Sequence, residues 1–131
     1  MASELRVNTL KDASGNNSVA TSFVAGGSAK VWLDVNDAGT TINDSFNVSS
    51  FDDDGTGDGG ANLTSSMGSA NYSAVGQTDG NQGGYIRLFS VNSKTASAIE
   101  MVTGFQANDN GNDGTTAQDR IKMLVAHGDL A

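Results

Sequence analysis

Cysteine is absent from the 131 residues, which excludes disulfide frameworks, thiolate metal sites and cysteine nucleophiles. Proline is absent as well, so turns fall to Gly, Asn and Asp. A single histidine, His127, excludes any site that needs two imidazoles. Bases are scarce: seven Lys and Arg stand against fifteen Asp and Glu, a net charge of −8. Such a chain repels nucleic acid and has no basic patch for phosphate contacts, so nucleic-acid partners are excluded. No apolar run approaches the roughly 20 residues of a membrane-spanning helix, and no membrane insertion is expected. The start, Met1-Ala2-Ser3-Glu4-Leu5-Arg6, lacks a basic stretch followed by a long apolar one, so no secretory leader is expected. The Asn-x-Ser/Thr triplets at Asn16, Asn43, Asn47, Asn62 and Asn71 then read as products of composition rather than glycan acceptors. Apolar residues make up 37% of the chain, too few for a large private core.

What is present is alternation with period two. Val31, Leu33 and Val35 share one strand face, with Trp32 and Asp34 on the other. Ile42, Phe46 and Val48 share a parity; Ile99, Met101, Thr103 and Phe105 repeat the pattern. Ile86 and Leu88 oppose Tyr85, Arg87, Phe89 and Val91, a strand apolar on both faces. Between these runs lie turn-forming clusters at 37–39, 52–60, 79–84 and 108–114. Many short strands with regular turns predict an all-β fold, an antiparallel β-sandwich of jelly-roll-like type. The end of the chain, 116–127, is ambiguous. Thr115-Thr116-Ala117-Gln118 resembles a capping box, yet Ile121, Met123 and Val125 alternate. A closing strand is the preferred reading, because a final strand must complete the sheet.

Residues 1–28 differ from the body, residues 29–131. Leu5, Val7 and Thr9 alternate with Arg6, Asn8 and Leu10, and residues 12–17 turn the chain. A second short strand is predicted over 18–23, and Gly26-Gly27-Ser28 reads as a hinge. A lone hairpin is marginal in water, so this β arm gains stability by packing on another chain. Leu5, Val7, Thr9 and Leu10 are its expected contact residues. Pooling small cores across a threefold axis makes a homotrimer the expected assembly.

The sharpest carboxylate cluster is Asp52-Asp53-Asp54-Gly55-Thr56-Gly57-Asp58. Calcium takes several hard oxygen ligands from a flexible loop, which makes Asp52, Asp54 and Asp58 weak candidate ligands. The EF-hand register fails, with Leu63 where the bidentate Glu belongs. Acidic hairpin turns are the preferred reading, since Asp-Gly is a standard turn dipeptide, and no cofactor is expected. Enzymatic readings fare worse. No Ser lies in G-x-S-x-G, and Gly80-Asn81-Gln82-Gly83-Gly84 lacks the Lys-Ser/Thr of a phosphate loop. Trp32, Tyr72, Tyr85, Phe89 and Phe105 are of a type that stacks on sugar rings, though most are expected in a core or interface.

The run Glu4-Leu5-Arg6-Val7-Asn8-Thr9-Leu10-Lys11-Asp12-Ala13-Ser14-Gly15-Asn16-Asn17-Ser18-Val19-Ala20 resembles the N-terminal signature of small virion proteins and fibre segments of aquatic (marine or cyanobacterial) tailed bacteriophages. Asp44-Ser45-Phe46-Asn47-Val48-Ser49-Ser50, Asp54-Gly55-Thr56-Gly57-Asp58 and Ala70-Asn71-Tyr72 resemble a module that ends their tail fibres. The closing Gly128-Asp129-Leu130-Ala131 is similar to their C-termini. One departure is that Gly59-Gly60-Ala61-Asn62-Leu63 stands where the family carries an aromatic-led alternating strand, which predicts a weak or displaced strand there. The resemblance implies a non-enzymatic virion structural protein, trimeric and β-rich. The expected role is a short tail fibre or tip whose loops, with Trp32 and Tyr85, contact a host surface glycan. The alternative is a capsid decoration protein.

Overall fold

The computed structural model describes residues 3–79, 85–107 and 115–131. The loop at 108–114, most of that at 79–84 and the Tyr85 side chain lie outside the described residues.

Two antiparallel sheets form a β-sandwich-like fold. One has the order β4 (Ile42–Phe46), β3 (Ala29–Val35), β11 (Lys122–His127), β7 (Ser73–Gln77). In the other, β5 (Val48–Gly55), β6 (Asp58–Leu63) and β9 (Ala98–Ala107) lie side by side. β10 (Thr115–Ala117) continues the β6 side of β9, and β8 (Tyr85–Lys94) pairs along β9. The alternation read from the sequence supplies the layer between them. Val31, Leu33, Val35, Leu124 and Ala126 from the first sheet meet Ala61, Leu63, Ile99 and Met101 from the second, closed off by Met67 and Tyr72.

The C-terminal ambiguity resolves as strand, with Lys122, Leu124 and Ala126 facing inward. Its neighbours explain the outcome. β3 and β7 flank it on both sides, so residues 123–127 have strand partners on both edges, and a helix there would leave β3 and β7 unpaired along those edges.

Three local expectations are corrected. Ile42 and Phe46 do not share a face, because a bulge between the Asp34–Asp44 and Val35–Ile42 pairs inserts one residue. Ile42 is half-buried beside inward Val35, whereas Phe46 pairs outward with Trp32. Asn47 then takes φ 61°, ends β4 and starts β5 in the other sheet. Its amide is held by Ser65, accepting from the backbone N at 2.7 Å and donating to the carbonyl at 3.0 Å.

The strand expected to be weak is instead β6, an interior strand between β9 and β5, buried at four of its six positions and half-buried at Asp58 and Asn62. The paired glycines are the reason. The Phe51 ring lies where a Gly59 side chain would stand, and the Glu100 carboxylate lies over Gly60.

The third correction is in the N-terminal segment. β1 (Thr9–Lys11) and β2 (Ser18–Ala20) form the predicted hairpin, but Thr21–Gly27 is a helix, α1, which includes Phe23. The ladder ends at the Thr9–Ala20 pair, the Thr21 N–H makes one further bond to the Asn8 carbonyl at 3.0 Å, and beyond it the backbone satisfies itself locally in the helix. α1 has no buried residue.

The β5–β6 turn is tied to the rest by a hydrogen-bond cluster. The Gly57 N–H donates to Asp119 Oδ1 at 2.6 Å, and its carbonyl accepts from the Thr103 N–H at 2.7 Å. Thr103 Oγ1 donates to the Gln118 carbonyl at 2.8 Å, and the Gln118 N–H donates to the Thr103 carbonyl at 3.1 Å. Gly57 has φ 75°, and an added Cβ would stand 2.4 Å from the Thr103 carbonyl oxygen. Gly57→Ala is therefore expected to destabilise the fold by about 2–4 kcal/mol, read as a lowered denaturation midpoint. An unchanged midpoint would remove this cluster from the account.

Candidate functional site

The two ends of the sandwich differ. The N-terminal segment joins at Ala29, the first residue of β3, beside His127. β3 ends at Val35, which pairs with Lys122, the first residue of β11. At that opposite end the 36–41 turn, the 55–58 turn and residues 118–121 come together. Asn36 Oδ1 accepts from the Thr40 and Thr41 N–H groups, closing the first turn. Arg120 reaches Asp37 at 3.8 Å and Asp79 at 3.7 Å, while Asp119 holds Gly57. This end is rich in carboxylates and hydroxyls, and it lies away from the chain's N-terminal entry.

The acidic hairpin continues onto the outer face of the five-stranded sheet. Asp52 pairs with Gly60, and Gly60 pairs with Glu100, which sets the two acids on either side of a residue without a side chain. Asn62 Nδ2 donates to Asp52 Oδ2 at 2.7 Å and to Ser50 Oγ at 3.0 Å. Burial raises the Glu100 pKa first, and the charges of Asp54, Asp58 and Asp52 raise it further. The three candidate calcium ligands thus share a neighbourhood with Glu100. Among the described residues, however, no three acidic or imidazole groups form a set able to hold a metal ion.

The aromatic candidates separate. Trp32 lies at mid-sheet on the outer face of β3, whereas Tyr85 opens β8 in the other sheet. Tyr72 is a core residue whose hydroxyl lies 3.0 Å from the Thr95 carbonyl and 3.2 Å from that of Ala98, able to donate to either. The Lys94 ammonium stands 5.0 Å from its ring centre and donates to its carbonyl at 2.6 Å. Phe89 packs against the core, and the Arg87 guanidinium lies 5.8 Å from the Phe105 ring centre.

Sequence reading missed two features. Lys122 is fully buried, its ammonium 5.8 Å from the Phe51 ring centre and 3.5 Å from the Gly39 carbonyl. The alternation places it inward, but nothing in a run of mixed polarity singles it out. The other is an apolar row across the four-stranded sheet: Phe46, Trp32, Val125 and Val75 are successive cross-strand partners. A register is needed to see it, since the four come from distant parts of the chain.

No protein-family model matches this chain, and neither a curated protein nor a solved structure does.

Two titrations follow from this geometry. Glu100 binds its proton more tightly folded than unfolded, so stability falls as pH rises from the ordinary value of 4.5 through the raised one. Glu100→Gln should remove that fall and raise stability at neutral pH by about 0.5 kcal/mol, measured as denaturation midpoints across pH 4 to 7. Burial lowers the Lys122 pKa, although Asp119, Asp53 and Asp58 pull the other way. The folded state then binds that proton less tightly, and stability climbs as pH rises from the lowered value through 10.5. Lys122→Met should flatten the climb and stabilise the protein by about 1 kcal/mol at neutral pH. A loss of stability in that variant would show that the ammonium is net favourable where it sits.

Proposed function

We propose that this chain is a non-enzymatic structural protein of a tailed-phage virion, a short tail fibre or fibre-tip adhesin. Residues 1–28 act as the anchoring arm, with Leu5, Val7, Thr9 and Leu10 among its contacts, and residues 29–131 form the displayed body. The assembly is a homotrimer. The observation that carries this reading is the polarity of the sandwich. An N-terminal segment with no buried residue among its described residues enters at one end, and polar, acidic turns gather at the other. Exposed apolar residues on a small segment favour attachment to another surface. Hydroxyl and carboxamide groups in turns suit adaptable polar contacts of the kind a surface glycan offers. The likeness of residues 4–20 and 44–72 to aquatic-phage virion proteins supports the setting. Host contact falls to the turns at 36–41 and 52–60.

The exposed apolar residues of the arm also favour a second reading. A segment of this kind can lie across neighbouring subunits, as the arm of a capsid decoration protein would.

Immunogold labelling of intact particles with antibody to the body tests both. Gold at the tail is the expected result. Even labelling of the capsid with bare tails would establish the second reading, and particles without any gold would overturn the virion assignment.

A further inference from the structure

The outer face of the β4-β3-β11-β7 sheet carries an apolar row that none of the described residues covers. In cross-strand order it runs Phe46, Trp32, Val125, Val75, and Phe46, Trp32 and Val75 are 53%, 38% and 58% exposed. A groove of about 320 Å³ lies beside its β7 end, formed by Val75, Gly76, Gln77, Met123, Leu124 and Val125. A contiguous apolar strip across a whole sheet, flanked by polar residues, has the character of an interaction surface.

The same chain carries a second uncovered apolar surface. In the arm, Leu10 and Val19 are direct cross-strand partners and both are exposed. Leu5 and Phe23 are 81% and 75% exposed, and Val24 is exposed beside them. Among the described residues, the arm's polar contacts with the body lie at its root. Gly27 O lies 3.0 Å from His127 Nδ1, and the Lys30 ammonium donates to the carbonyls of Ala25 and Ser28.

Charge selects which surfaces meet. Within residues 1–28, Glu4 and Asp12 are balanced by Arg6 and Lys11, so the entire −8 belongs to the body. Pressing one body face on another sets like charges together, whereas the arm approaches without net charge. One flank of the row sharpens the preference. Asp34 and Asp44 stand directly opposite each other, a repulsive pair, and neither has a cation within ion-pair distance among the described residues. Lys11, next to Leu10 in the arm, likewise has no ion-pair partner there.

We propose that the arm of a second copy lies on the outer face of the β4-β3-β11-β7 sheet, its apolar residues over the Phe46–Trp32–Val125–Val75 row and Lys11 beside Asp34 and Asp44. This rests on reading residues 1–28 as an anchoring arm and assigns the surface that receives it. Trp32 becomes an interface residue rather than a sugar-stacking one. Passing each arm to the next copy is a head-to-tail contact, which closes as a ring, and a homotrimer is one such ring.

Trp32 is the chain's sole tryptophan and therefore reports directly on this face. The test uses the full chain, with sedimentation for assembly and acrylamide quenching of Trp32 emission for coverage. The expected result is an oligomer with shielded Trp32, in which dilution releases both together. Phe23→Asp and Leu10→Asp, at exposed arm positions outside the core, should each weaken association by at least about tenfold and expose Trp32. Val75→Asp should act alike from the receiving face, and Phe23→Leu should retain association. A monomer with freely quenched Trp32 at all concentrations would overturn the proposal. So would an oligomer indifferent to both arm substitutions. A monomer whose Trp32 is shielded until Phe23→Asp frees it would show a chain folding its arm onto its own sheet, and would also overturn it. None of these results bears on where gold labels the particle, so the two readings fail separately.

Discussion

The hydrogen bonds around Thr103 tie together the ends of two ladders on β9, that of β6 at Asp58–Val102 and that of β10 at Ala117–Gly104. Thr103 is nearly fully buried on β9, and its backbone and hydroxyl together engage Gly57 and Gln118. Gly57 sits in the acidic turn, and Gln118 begins the passage that delivers β11 to the other sheet. Removing this junction would loosen the β5–β6 hairpin and the strand at the centre of the opposite sheet together. It also explains why so acidic a turn stays docked. Each carboxylate in it favours solvent, but the Gly57 backbone is fixed from both sides, by Asp119 and by Thr103. The acids then project outward while their backbone remains packed.

The consequences spread through the electrostatics. Fixing the hairpin fixes Asp52, Asp54 and Asp58 near Glu100, whose pKa is raised first by its burial and further by their charges. On the other side of β5, Phe51 faces the core and meets Lys122. The buried ammonium feels Asp53, Asp58 and Asp119, which offset part of its burial. One face of the five-stranded sheet is thus a field of negative charge, and Lys122, the only fully buried cation among the described residues, lies just behind it. The four-stranded sheet is different in kind: its outward row is apolar, with acids only at one flank. Two sheets of similar topology therefore present opposite chemistries to their surroundings.

How much of this the sequence disclosed depends on how local the determining physics was. Val31, Leu33 and Val35, and Ile99, Met101 and Thr103, were legible as inward-facing sets because each lies in an uninterrupted strand. The parity of Ile42 and Phe46 failed at a bulge, which depends on the partner strand and leaves no mark in the run itself. The strength of β6 was hidden for a related reason. Gly59 and Gly60 look like strand breakers until Phe51 and Glu100 are seen to lie over them. α1 was missed because the pairing potential of residues 21–23 depends on where β1 begins, some ten residues earlier. The acidic turn was legible as a turn, and its docking through Asp119 was not, since those residues are 62 apart. The apolar row needed the pairing of four strands before it existed as a surface at all.

The distribution of charge between arm and body bears on how such a protein assembles. A body of −8 keeps its copies apart at low ionic strength, because each approach of one body to another raises the electrostatic energy. A neutral arm is exempt from most of that penalty and carries apolar residues that gain by leaving water. With the arm docked on a second copy as proposed, association would depend on the arm reaching its surface, and the charge of the bodies would narrow the productive encounters to those the arm makes. Screening by salt weakens the repulsion while leaving the apolar contact intact, so the selectivity of assembly is greatest where ionic strength is low. The acidic body and the arm without net charge thus respond differently to ionic strength, because the repulsion belongs to the body alone.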